Sequence, residues 1–166
     1  IHWTETGWIY VSIDQKLLRS RTGALNSWED LSTNSGFPTN LARVEFDICK
    51  NDQNIIYLIG NINGSASNIY KSFDQGLTWT NQGIPRSAGG ESNFARGQGN
   101  YNLTIAVDPF DCNHVIVGGI DLYESRVGAI TLGGNFHIGL ADLDYHMFTL
   151  IIISFFSIEK EKECHI

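Results

Sequence analysis

Short runs of β-branched and aromatic residues alternate along the chain with clusters of Asn, Asp and Gly. Val44-Glu45-Phe46-Asp47 is followed by Ile55-Ile56-Tyr57-Leu58-Ile59, and Ile105-Ala106-Val107-Asp108 by Val115-Ile116-Val117-Gly118. Between the runs stand Lys50-Asn51-Asp52-Gln53-Asn54, Asn61-Ile62-Asn63-Gly64-Ser65 and Asp108-Pro109-Phe110-Asp111-Cys112-Asn113. The first residue types suit the pleated, half-buried surface of a sheet, and the second supply turns. No stretch of a dozen residues holds a 3.6-residue period, so strands and turns are predicted rather than helices.

The pattern repeats. Tyr70-Lys71-Ser72-Phe73-Asp74-Gln75-Gly76-Leu77-Thr78-Trp79 has weaker echoes at Leu18-Arg19-Ser20-Arg21-Thr22-Gly23, with Trp28 behind it, and at Leu122-Tyr123-Glu124-Ser125-Arg126-Val127-Gly128-Ala129-Ile130-Thr131. Ser20, Ser72 and Ser125 stand 52 and 53 residues apart. Each repeat reads as four short antiparallel strands. Such a unit cannot bury both faces alone and must stack on its neighbours, which is the logic of a propeller blade. The expected fold class is therefore all-β: an antiparallel β-propeller fragment of about three four-stranded blades. Blades are expected over about 8–33, 40–82 and 101–134, with the first incomplete, and the next starts at 141–150. From residue 151 the pattern stops, and 151–166 reads as a divergent tail. Closed propellers need at least four blades, so the ring is expected to be incomplete and the chain a piece of a larger protein.

Composition narrows the classes of function. The chain is 42% apolar and only 17% charged, too apolar to be disordered, and its 17 Gly argue against a helical bundle. A net charge of −7 repels phosphate backbones and anionic membrane surfaces, so no nucleic-acid partner is expected. The longest apolar stretch, Met147 to Phe156, is interrupted by Thr149 and Ser154 and falls short of a membrane span. Cys49, Cys112 and Cys164 have no CxxC spacing and indicate neither a zinc site nor a disulfide framework. They read as small apolar residues, with a single Cys49–Cys112 bond as the alternative.

Ser72, Asp74, Gly76, Thr78 and Trp79 spell Ser-x-Asp-x-Gly-x-Thr-Trp, and this segment resembles the Asp-box of bacterial neuraminidase-type (BNR) repeats. Such repeats occur in sialidases, xyloglucanase-type glycosidases, sortilin-type receptors and photosystem assembly factors. The stretch from Leu103-Thr104-Ile105-Ala106-Val107-Asp108-Pro109 to Ser125 is similar to secreted bacterial members, and the likeness covers roughly residues 8 to 148. It departs where Thr22 stands for the Asp in the first echo and Val127, Ala129 and Leu132 stand for Asp, Gly and Trp in the third. The resemblance implies an extracellular or periplasmic protein that acts on or binds glycans. The alternative is a non-enzymatic, sortilin-like or assembly-factor-like module that binds a peptide or protein. If an enzyme, it would be a glycosidase.

The Asp-box is expected to be scaffold. Ser72 and Thr78 flank a tight turn in which the Asp74 carboxylate can accept backbone N–H groups, and Trp79 can pack between sheets. The channel mouth is the expected site for a carbohydrate or peptide ligand. Matching the inner strands places Arg43, Thr104 and His146 in one register and Leu41, Asn102 and Asp144 two residues earlier. Along Ala141-Asp142-Leu143-Asp144-Tyr145-His146, alternate residues share a face, so Asp142, Asp144 and His146 are candidates for general acid and base work, and Arg43, Asn102 and Arg96 for ligand binding. The same Asp-x-Asp-x-His face has ligand types for Ca²⁺ or Zn²⁺, but no metal and no cofactor is expected. A sialidase would require an arginine cluster. Arg43, Arg86 and Arg96 are present without the Arg-Ile-Pro signature, and Ile84-Pro85-Arg86 has its letters in another order.

Overall fold

The computed structural model describes residues 1–84, 92 and 94–125. Asp142, Asp144, His146, the blade start at 141–150 and the tail at 151–166 lie outside the described residues, as do Arg86, Glu91 and the end of the third echo.

The described chain is all-β, with one 3₁₀ turn at Leu31–Thr33. Its strands form three antiparallel sheets in chain order. The first contains β1 (His2–Trp3), β2 (Ile9–Ile13), β3 (Lys16–Ser20) and β4 (Glu29–Asp30). The second contains β5 (Arg43–Ile48), β6 (Ile56–Ile62), β8 (Ile69–Ser72) and β9 (Thr80–Gly83), and the short β7 (Ser65–Ala66) also pairs with β6. The third contains β10 (Thr104–Val107), β11 (Val115–Gly118) and β12 (Leu122–Ser125). The first sheet begins at His2, ahead of the strand pattern expected from residue 8. A turn closed by Thr4 N–H to the Trp8 carbonyl folds residues 2–3 back onto β2.

The sheets stack because the middle one is apolar on both faces. Along β6, Ile56 and Leu58 join Tyr10, Leu17, Val44 and Phe46 in a core between the first and second sheets. Tyr57 and Ile59 point the other way and join Ile105, Val107, Val115, Val117 and Tyr123 in a core between the second and third. Period-two alternation thus assigns neighbouring residues of one strand to two different cores. The inner strands β5 and β10 lie side by side, as expected, and the Val107 N–H donates to Asp47 Oδ2 at 2.7 Å. This is the arrangement of consecutive propeller blades, and the described sheets do not close a ring.

One expectation is corrected. Cys49, just past β5, and Cys112, in the β10–β11 turn, form a disulfide with their Cα atoms 5.3 Å apart. Cys49 is fully buried in the second core, so these are not independent small apolar residues. Nearby contacts reinforce the same join: Tyr57 Oη donates to the Cys112 carbonyl at 2.9 Å and Asn51 Nδ2 to the Phe110 carbonyl at 3.0 Å.

The bond links residues 63 apart in sequence, so its loss frees a long loop in the unfolded chain. Reduction, or the double substitution Cys49→Ala with Cys112→Ala, is expected to cost roughly 2–4 kcal/mol, read as a lowered midpoint in denaturant melts with and without reductant. An unchanged midpoint would show that the bond does not constrain the fold.

Candidate functional site

The sheets have two chemically different ends. Strand register separates them: in the second sheet Ile56 pairs with Ser72, whereas Asn61, at the far end of the same strand, pairs with Arg43. Five residue steps along a strand are roughly 17 Å, so the Ser72–Trp79 turn and Arg43 cannot share one small-ligand site.

The first end is closed by polar staples. Ser72 Oγ donates to Asp74 Oδ1 at 2.8 Å and accepts the N–H groups of Asp74 and Gly76. Asp74 in turn accepts the Thr78 N–H at 2.8 Å and the Thr78 hydroxyl at 2.6 Å. Burial alone would raise the Asp74 carboxyl, but the hydrogen bonds from Thr78 and Ser72 outweigh it and hold the group below the usual carboxylate range. Gly76 sits at φ +87°, where a Cβ would come within 2.8 Å of the Leu31 side chain, so the turn requires glycine. Trp79 Nε1 donates to the Gly76 carbonyl, and the ring packs edge-on against Phe37 in the core between the first two sheets. The turn also receives Arg19 Nη1 on the Gln75 carbonyl at 3.1 Å, which ties it to the first sheet.

The first echo keeps this design without its carboxylate. Ser20 Oγ accepts the N–H groups of Thr22 and Gly23, and the Ser27 hydroxyl at 2.6 Å stands in the place of the Asp74 oxygen. Asp108 does similar work in the third sheet, accepting the Phe110 and Asp111 N–H groups and facing His114 Nδ1 at 2.9 Å. Buried Lys71 belongs to this end too, lying over the Tyr57 and Phe73 rings, and burial lowers its ammonium below the usual range. These carboxylates hold turns.

The opposite end is built by residues 94–102, which cross from the second sheet to the third. The Phe94 carbonyl accepts the Ile120 and Asp121 N–H groups, and the Gly99 N–H donates to the Gly64 carbonyl at 2.7 Å. The segment comes so close that a Cβ on Gly64 would stand 2.5 Å from the Gly97 carbonyl oxygen. Asn61 Oδ1 holds the Gly64 N–H at 2.8 Å. Arg96, at φ +47°, lays its guanidinium on the buried Asp121 carboxylate through two hydrogen bonds of 3.0 Å.

Arg43 and Asn102 meet this end from the starts of β5 and β10. Arg43 Nη2 lies 2.5 Å from Glu45 Oε1, two residues along the same strand face. Arg43 Nη1 is buried and has no hydrogen-bond partner among the described residues, and the same holds for Asn102 Oδ1. Asn102 Nδ2 is directed at Gln98 Oε1, 3.5 Å away. An orphaned donor and an orphaned acceptor therefore occur at one end of adjacent inner strands. Each such group costs about 1–3 kcal/mol unless something satisfies it. The structure brings Arg43, Asn102 and Arg96 to one end and places Ser72, Asp74, Gly76, Thr78 and Trp79 at the other. Sequence reasoning missed Glu45 and Asp121, the carboxylates that engage the two arginines. Glu45 was legible as the i+2 neighbour of Arg43, whereas Asp121 sits in a turn met only through the fold. Among the described residues no group of three or more His, Cys, Asp or Glu side chains is arranged to hold a metal, and no helix is long and apolar enough to cross a membrane.

No family model matches the chain and no curated protein matches it. Among solved structures it is similar to the GH74 xyloglucanase from Xanthomonas campestris, at 16% identity and a TM-score of 0.49, over 78% of this chain and 20% of that one. The chain thus spans about a fifth of the length of that enzyme.

Asp74→Ala is expected to destabilise the fold by about 1–3 kcal/mol, measured by denaturant melts, because it orphans the Thr78 N–H and hydroxyl. The folded-state pKa lies below the unfolded value, so the contribution is complete above about pH 4 and lost as pH falls through the folded value. The stability gap between the chain and Asp74→Asn should shrink below pH 4; a gap independent of pH would remove the carboxylate from this role.

Proposed function

We propose that the chain is part of an extracellular or periplasmic Asp-box repeat propeller that binds or acts on glycans, with the ligand received where β5 and β10 begin. The observation that carries this reading is the pair of buried, unpartnered polar atoms, Arg43 Nη1 and Asn102 Oδ1, at the end bridged by residues 94–102. Sugar hydroxyls are suited to such groups because each can donate and accept. The dense hydrogen bonding of the Ser72–Trp79 turn supports its role as the Asp-box scaffold. The Cys49–Cys112 bond supports maturation in an oxidising compartment, where disulfides form and persist. In this reading Asp142, Asp144 and His146 supply the acid and base of any hydrolysis, and Arg96 holds the bridging segment in place for the ligand.

The test is a glycan array and a peptide array probed with the chain and its variants, each beside a thermal melt. Arg43→Gln and Asn102→Leu are expected to weaken glycan binding about tenfold, the worth of one hydrogen bond of about 1.4 kcal/mol, with melting unchanged or slightly raised because each removes an unpartnered buried atom. Asp144→Asn and His146→Ala should abolish any glycan hydrolysis with the same small effect on melting, and Asp74→Ala should lower melting and leave binding per folded molecule intact. Capture of peptides with no glycan bound would overturn the reading in favour of a sortilin-like binder. Loss of binding at unchanged stability in Asp74→Ala alone would reverse the assignment of site and scaffold.

A further inference from the structure

On the reading that the chain is exported, we propose that Asn63 is an acceptor for a covalently attached N-linked glycan and that Asn102 is not. Both residues begin the Asn-x-Ser/Thr pattern that an oligosaccharide transferase reads, as Asn63-Gly64-Ser65 and Asn102-Leu103-Thr104. The pattern makes the two equivalent, and the fold separates them. Asn63 and Gly64 are the central residues of a hairpin turn, at φ 50° and 86°, between Ile62 and Ser65, which pair across β6 and β7. Asn followed by Gly suits this left-handed turn. Its backbone is pinned at Gly64, whose N–H is held by Asn61 Oδ1 at 2.8 Å and whose carbonyl accepts the Gly99 N–H at 2.7 Å. Asn63 and Ser65, the two residues whose side chains a transferase must engage, are both exposed, and the residue between them has no side chain to bury.

The second pattern is built into the fold. Leu103, its middle residue, is 2% exposed in the core between the second and third sheets, and Thr104 opens β10 opposite Gly118. Asn102 Oδ1 is buried, and Nδ2 is directed at Gln98 Oε1, 3.5 Å away. A hydrated sugar chain on that nitrogen would bury hydroxyls without partners or draw Leu103 out of the core, and both are costly. At Asn63 the same sugar chain stays in water. In the transfer Asn63 Nδ2 forms a bond to the anomeric carbon of a polyprenyl-diphosphate-linked oligosaccharide. The bond from that carbon to the diphosphate oxygen breaks, the diphosphate leaves with the electron pair, and the amide nitrogen gives up one proton. The donor and the transferase belong to the secretory compartment, and the chain contributes the amide and the Ser65 hydroxyl.

The test expresses the 166-residue chain behind a cleavable export signal in cultured animal cells. Intact mass and peptide maps are read on secreted and retained protein, before and after a glycan-releasing amidase that converts the modified Asn to Asp. The secreted chain is expected to carry one glycan, at Asn63, and to hold the Cys49–Cys112 bond. Asn63→Gln should abolish the mass shift, and so should Ser65→Ala, which leaves the Asn63-Gly64 turn intact; Asn102→Gln should keep it. Secreted, disulfide-bonded chain that is bare at Asn63, or that carries a glycan at Asn102, would overturn the inference and leave the export reading standing. Chain glycosylated at Asn63 but retained, with Cys49 and Cys112 reduced, would overturn the export reading and leave the acceptor assignment in place. Retained chain that is bare at Asn63 would overturn both.

Discussion

A strand that is apolar on both faces has to be covered on both sides, and β6 imposes that requirement on everything around it. Ile56 and Leu58 need one neighbouring sheet and Tyr57 and Ile59 need another. Apolar burial at about 25 cal/mol per Å² makes leaving either face wet more costly than any single polar contact in the molecule can offset. Stacking follows from this, and with it the adjacency of the inner strands. That adjacency in turn brings the starts of β5 and β10 to one place.

Stacked sheets also have to be kept in register at their ends, where apolar burial runs out. The closed end solves this with covalent and polar staples: the Cys49–Cys112 bond, Tyr57 on the Cys112 carbonyl, and the Ser72–Asp74–Thr78 network docked under Arg19. Here Asp74 and Asp108 accept backbone N–H groups, and these hydrogen bonds hold both carboxyls below the usual carboxylate range. An acid used in this way is unavailable for proton transfer near neutral pH. The Ser72–Trp79 turn therefore lies at the opposite end of the second sheet from Arg43.

The other end is held differently. Residues 94–102 bind it through backbone contacts to two turns and through the exposed Arg96 guanidinium on the buried Asp121 carboxylate. This leaves polar atoms of Arg43 and Asn102 buried without partners.

The strands, the turn chemistry around Ser72 and the adjacency of β5 and β10 from successive sheets were readable from sequence, because period-two burial and the 52-residue spacing of Ser20 and Ser72 are local or repeated signals. The hydrogen bonds of Asp74 were readable for the same reason: its partners Ser72 and Thr78 lie within a few residues. What only the tertiary structure decided are contacts between repeats. Cys49 and Cys112 are 63 residues apart and become neighbours only when two sheets stack. Asp121 meets Arg96 only because a connecting segment crosses to the next sheet. Even the orphaned state of Arg43 Nη1 and Asn102 Oδ1 depends on which groups fail to arrive, and a linear pattern carries no information about that.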